Sequence, residues 1–279
     1  MPPFHPGELA VQERAGVRER AGRVGNSIAG EIPWVAGAFL EERSWLVLAA
    51  ADGHGRPWAS LLAGPAGFAR AAGPREVAIA AAPSPGDPLA GSLRPGAVAG
   101  LLAIDPSTRR RMRVNGTLAP VDGALRLRAE QVYSNCPKYI HPRSDALGES
   151  RPSESRRTAG LAAHHGDRIR GADTFFIATV NPGEGADASH RGGPAGFVEV
   201  EGYRLRWPDY AGNMMYNTLG NIERYPRAGL LFVDFARGDR LMLTGRARIE
   251  WDPAAAARFP AAQRVVELDV EEAIELATP

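Results

Sequence analysis

From residue 45 onward, short apolar runs alternate with clusters of Gly, Pro and Asp. Trp45 to Ala51 (WLVLAAA), Trp58 to Ala63 (WASLLA), Glu76 to Ala82 (EVAIAAA), Ala97 to Asp105 (AVAGLLAID) and Met112 to Ala119 (MRVNGTLA) are apolar or alternating, and Leu125 to Tyr139 opens with a further strand. Short strands with frequent turn signals predict a β-barrel or sandwich. Glu8 to Val24 has apolar residues at loosely helical spacing, weakened by Gly16 and Gly22. A second helical stretch runs from Pro33 to Arg43, with proline at the opening turn, where it is tolerated. Ser144 to Asp167 is polar and reads as a linker with a short helix over Ser155–His164. The expected segments are a helical N-terminus (1–44), a first barrel half (45–143), a linker (144–170), a second barrel half (171–252) and a helical tail (253–279).

The two strand sets are copies. Gly-Pro-Ala-Gly-Phe occurs at Gly64–Phe68 and again at Gly193–Phe197, an offset of 129 residues. In the same register Ala59-Ser60 falls on Ala188-Ser189, the run from Ala99 to Asp105 on that from Ala228 to Asp234, and Gly116 on Gly245. An ungapped register of this kind marks an internal duplication. With two units, the arrangement is a pseudo-twofold pair that buries its mutual interface, as a homodimer does.

A length of 279 residues, 44% hydrophobic, suffices for a real core. The formal charge of +1 argues against a polybasic grip on nucleic acid or anionic membrane. Lys138 is the sole lysine, so arginine must do most anion binding, for which its planar donor fork is suited. The single cysteine, Cys136, excludes an intramolecular disulfide. The charged N-terminus lacks the apolar centre of a signal peptide, and no run reaches the roughly 20 apolar residues of a membrane span. A soluble cytoplasmic protein is expected.

Candidate chemistry lies where the copies differ. At the 129-residue offset His190 and Arg191 replace Leu61 and Leu62, Asn213 replaces Ser84, and Asn217 replaces Pro88. Residues that only support the fold should occur in both copies, whereas a ligand-binding residue is needed in one. Arg191 offers a bidentate fork, and Ser189, His190, Asn217 and Thr218 add further donors suited to a phosphate. Asn217 to Glu223 resembles a helix start, with Asn217 or Thr218 as cap and free amides that favour an anion. A second cluster, Asn135 to His141, holds Lys138 and Tyr139 in the connector, where Tyr139 could cover a planar ligand. Each of these residues also has an ordinary structural reading as a cap, a surface ion-pair partner or a core histidine. The basic run of Arg109, Arg110, Arg111 and Arg113 reads as a solvated edge that blunts a strand. His164-His165 has no carboxylate or histidine at ligand spacing in sequence, so no metal site is expected.

The runs ASHRGG…GFV, WPDYAGNMMYNTLGNIERYPRAGLLFVDF and LTGRARI resemble the pyridoxamine 5′-phosphate oxidase-related, FMN-binding split-barrel family. So do GRPWASLLAGPAGF, RVNGTL and the connector SNCPKYIHPR, and the likeness runs from about Gly7 to Asp252. It implies a mainly β protein with some α: two tandem split barrels with N-terminal helices, and one FMN at their interface. Carried over by position, Ser189, His190 and Arg191 look like the strand residues that reach the phosphate and ribityl chain. Asn217 and Thr218 fall where the family places further phosphate contacts, Asn213 and Asn221 are further candidate cofactor-binding residues, and the first copy with the connector, including Lys138 and Tyr139, would shape the ring end. The chain departs from the oxidase in having Asn-Thr where that enzyme has a basic Arg-Lys pair, and it lacks a clear counterpart of the oxidase's substrate-binding basic residues between Phe259 and Pro279. The resemblance implies an oxidoreductase acting on a small molecule other than pyridoxamine phosphate, with a separate flavin or NAD(P)H reductase as a candidate partner and a homodimer as one assembly. A non-catalytic flavin sensor, and a split barrel binding a deazaflavin or a haem held by His190 or His141, stay open at this point.

Overall fold

Alternation of inward and outward side chains, reset by turns, produces two antiparallel sheets of the same strand order. The computed structural model describes residues 3–121, 124–144, 146–147 and 154–277, so part of the expected linker (145 and 148–153) lies outside the described residues. The first barrel comprises β1 (Trp45–Ala51), β2 (Pro57–Ala63), β3 (Ala69–Gly73), β4 (Glu76–Ile79), β5 (Val98–Asp105), β6 (Arg110–Val121) and β7 (Ala124–Ser134), ordered β2-β1-β5-β6-β7-β4-β3. Beyond the connector, β8 (Glu154–Ala159) precedes the second barrel: β9 (Thr174–Asn181), β10 (Gly185–Gly192), β11 (Glu199–Glu201), β12 (Arg204–Tyr210), β13 (Arg227–Val233), β14 (Arg240–Glu250) and β15 (Ala262–Ala277). Its order, β10-β9-β13-β14-β15-β12-β11, repeats the first strand for strand.

The repeat extends to irregularities. Gly116 pairs with Ala129 beside a bulge, and Gly245 pairs with Val270 beside the equivalent bulge. A Cβ on Gly116 would lie 1.9 Å from the Arg128 carbonyl oxygen, and one on Gly245 2.1 Å from that of Asp269, so both bulges require glycine. Val270 lies 141 residues after Ala129, against 129 for the glycines; the added stretch holds a short helix, Pro253–Ala256, in the last hairpin.

The helical tail expected over 253–279 is corrected accordingly. Beyond Pro253–Ala256 the chain forms β15, which lies between β14 and β12 in the sheet. Its glutamates suggest helix, but Val266, Leu268 and Val270, then Ile274 and Leu276, are buried at strand period. The helix expected over Ser155–His164 is likewise β8, whose arginines lie opposite the acidic end of β15, with Arg157 ion-paired to Glu272.

N-terminal to the barrels, the single helix expected over Glu8–Val24 is two, α1 (Pro6–Arg14) and α2 (Arg18–Gly25), parted where Gly16 takes φ 66°. Next comes α3 (Trp34–Glu41); α4 (Ala163–Gly171) and α5 (Asn217–Arg224) belong to the second half. Helix α1 packs on α5 through facing glycines: a Cβ on Gly7 would lie 2.2 Å from the Gly220 carbonyl oxygen. The barrels meet through reciprocal glycines too. Gly100 of β5 abuts the backbone of Ala188, while Gly229 of β13 abuts that of Pro57 and Trp58. Around them Trp45, Leu101, Phe176 and Leu231 join one continuous core, with Trp45 edge-on to Phe176 at 5.8 Å.

Candidate functional site

A cleft opens to solvent where the connector after β7 passes over the second barrel. Its walls take Arg111 and Arg113 from β6, Lys138 and Tyr139 from the connector, Ser189, His190 and Arg191 from β10, and Asn213, Asn217 and Thr218 from the segment leading into α5. The connector cluster and the second-copy cluster thus share one cavity. Asn221 does not line it. Its Nδ2 donates to Thr179 Oγ1 (3.0 Å) and its Oδ1 meets His5 Nε2 (2.9 Å), so it ties α5 to β9 and the N-terminus.

The basic run read as a solvated edge is divided by strand alternation. β6 sits between β5 and β7, so it is no edge; Arg109 and Arg110 are exposed, while Arg111 and Arg113 turn into the cleft. The signal for this was the alternation of Arg111, Arg113 and Asn115 with apolar Met112 and Val114. Arg113 is buried against Asp187, its Nη1 2.9 Å from Oδ1. Arg111 donates to the Cys136 carbonyl (2.7 Å), but its buried Nε has no partner. Burial, together with Arg113 and Arg191 nearby, pushes its pKa down to about 9. The guanidinium remains charged at neutral pH; burial is the main cause of the depression, and the smaller part that comes from Arg113 and Arg191 is repulsion that a bound anion would relieve.

Asp187 organises the floor. Both Ser189 Oγ and Thr218 Oγ1 donate to its Oδ2 at 2.8 Å, so their protons point inward and their lone pairs are left for a ligand. That reverses the donor role expected for these hydroxyls. Asn217 Nδ2 is likewise committed, donating to Glu8 Oε1 at 2.6 Å, and burial pushes the Glu8 pKa up to about 8. Asn213 Oδ1 accepts from the Met215 amide at 3.1 Å, an Asx turn that shapes the loop before α5. Donors available to an anion are therefore the arginines, Lys138, Asn213 Nδ2 and the unbonded amides of the first turn of α5, rather than the Ser189, Thr218 and Asn217 side chains.

His190 Nδ1 lies 3.3 Å from Arg111 Nη1. A guanidinium can only donate, so Nδ1 accepts and Nε2 carries the proton. Burial, with Arg111 and Arg191 close by, holds the imidazole neutral, well below its ordinary pKa. This tautomer does not fit an axial haem ligand, which needs the Nε2 lone pair and a ring proton at Nδ1. Arg191 donates to the His190 carbonyl at 3.1 Å and has no carboxylate within ion-pair distance among the described residues. The buried Asp209 is shared electrostatically between Arg191 and Arg264; its carboxyl is nevertheless raised by desolvation.

At the mouth, Tyr139 stacks on Tyr210 with centroids 5.0 Å apart, and its hydroxyl donates to the Ala211 carbonyl. Tyr139, Met214 and Tyr216 all line the cleft with positive φ (65°, 64° and 62°), strain of the kind that gathers at functional sites. The pseudo-twofold position is closed: Leu61 and Leu62 replace His190 and Arg191, and Arg240, the counterpart of Arg111, donates to the Leu61 carbonyl and Ser84 Oγ.

Away from the cleft, His164 and His165 do have a carboxylate partner, contrary to the sequence reading: Glu275 Oε1 lies 2.8 Å from each Nε2. The Ala162 amide donates to His165 Nδ1, so its Nε2 holds the proton and donates to Glu275. The group caps α4.

A family model described as pyridoxamine 5′-phosphate oxidase matches residues 161–276, which span the second barrel. Among solved structures, the chain resembles the HupZ protein of Group A Streptococcus (17% identity, 43% of this chain and 98% of that one, TM-score 0.34). It also resembles a putative pyridoxamine 5′-phosphate oxidase from Lactobacillus delbrueckii (20% identity, 42% and 94%, TM-score 0.34). A third is a FAD-binding protein from Mesorhizobium loti (11% identity, 44% and 99%, TM-score 0.31). No curated protein matches the chain.

Proposed function

We propose that this chain, a tandem split barrel of the pyridoxamine 5′-phosphate oxidase-related family, binds one FMN in the cleft between its barrels and serves as an oxidoreductase for a small molecule. The observation that carries the reading is the convergence of Arg111, from one barrel, and Arg191, from the other, on a single cleft. Neither has a carboxylate within ion-pair distance among the described residues, and Arg111 Nε is buried without a partner. Such a surplus of positive charge suits a phosphate monoester, which carries nearly two negative charges at neutral pH.

Each remaining group has a matching task. Arg111 and Arg191 would hold the phosphate, together with the first-turn amides of α5. Ser189 and Thr218 present lone pairs that accept from a polyol chain, and His190 Nε2–H is a neutral donor. The stacked Tyr139–Tyr210 pair gives the mouth an aromatic wall against which a flat ring can pack. Bound FMN supplies hydride or electron transfer, chemistry no side chain here provides. A haem held by His190 is disfavoured by that tautomer.

The phosphate requirement tests this. In a fluorescence titration FMN should bind at least roughly 100-fold more tightly than riboflavin, since two charge-assisted contacts disappear. Equal affinity for the two would remove the arginine cleft as the phosphate site.

A further inference from the structure

A second cavity, open to solvent, lies against the first barrel on the far side of Arg111 and Asn135, which wall both it and the cleft. Its floor is apolar: Pro33, Ala36 and Phe39 from the α3 region face Met112 and Val132. Its rim is basic. Arg109 and Arg110 are both exposed and have no carboxylate within ion-pair distance among the described residues. The Arg110 guanidinium lies over the Phe39 ring at 4.8 Å, and Arg109 is held at φ 56°. Inside, Asn135 Oδ1 is buried and unpartnered. Beside the opening Trp34 is 82% exposed and Val35 51%, an unusual outlay of apolar surface for side chains on a short helix.

An apolar floor under unpaired cations is complementary to a small amphipathic anion. We propose that this groove binds an aliphatic or aromatic carboxylic acid, its body against Phe39, Met112 and Val132 and its carboxylate at Arg109 and Arg110. A nucleotide-like ligand does not fit the apolar floor, and a neutral hydrocarbon leaves the cations unused. As a binding site the groove stands apart from the flavin reading.

The test measures binding alone, with 4-phenylbutyrate as the anionic probe and 4-phenylbutan-1-ol as its neutral match, by calorimetry on the full chain with and without FMN. The acid should bind once per chain, about tenfold or more tighter than the alcohol, and without displacing FMN. Arg109→Ala with Arg110→Ala should weaken the acid about tenfold and leave the alcohol unchanged, while Ala36→Phe, which fills the groove, should weaken both. Equal affinity for acid and alcohol, competition with FMN, or failure of both probes to bind overturns the proposal, whether or not FMN itself binds. So does self-association that Trp34→Asp abolishes, which would make this face a contact between copies.

Discussion

Arg111→Ala is expected to weaken FMN binding by about 1.5–3 kcal/mol, roughly 10- to 150-fold in Kd, the range for a hydrogen bond to a charged group. Arg111 is chosen because it reaches the cleft from the barrel that holds none of the β10 residues. Its loss therefore tests the claim that both barrels build one site. Arg191→Ala should cost a similar amount. Arg240→Ala is the internal control: it occupies the pseudo-equivalent position but bonds the Leu61 carbonyl and Ser84 instead of facing the cleft. It should lower stability while leaving flavin affinity unchanged. Titration by flavin fluorescence, with circular dichroism to confirm folding, separates the cases. A normal Kd in Arg111→Ala alongside a weakened one in Arg240→Ala would place the site in the wrong half.

A large loss of stability, arising at the contact between the barrels, is expected from Gly229→Ala. The added methyl would lie 2.4 Å from the Pro57 carbonyl oxygen and 2.7 Å from Trp58 Cα. Both are backbone atoms of the other barrel, so no rotamer change relieves the clash and the interface must part. A loss of about 3 kcal/mol, the upper end of overpacking costs, should appear in urea denaturation. Gly73→Ala, where nothing lies within 4 Å, should change stability by no more than about 0.5 kcal/mol. Similar values for the two would mean that the barrels do not meet through these strands.

The tandem barrel could be read from sequence because its evidence was cumulative: one register placed apolar runs, glycines and a repeated pentapeptide on each other. The register failed where the second copy departs from it. The stretch containing Pro253–Ala256 displaced the last strand, and the glutamates of β15 concealed its period of two. The site was legible where the copies differ in residue type, as at His190 and Arg191, and not where it depends on the fold around a residue. Whether Arg111 sits on an edge or a central strand is decided by β5 and β7, far away in sequence. Which way the Ser189 and Thr218 protons point is decided by Asp187, a residue present in the same motif but assigned no role. Asn221, which lies off the cleft, was read as facing a ligand, and the Asn217 side chain, on the cleft wall, is tied to Glu8, because nothing in the sequence announces that α1 packs on α5.

One measurement bears most directly on the two-barrel, one-cleft account: the number of FMN molecules bound per chain, from the visible spectrum and equilibrium dialysis of the purified protein. The asymmetry between the arginine cleft and its leucine-filled twin predicts one. Two per chain would show that Leu61 and Leu62 do not close the second position, and none, even at saturating FMN, would leave the duplicated barrel standing without its flavin.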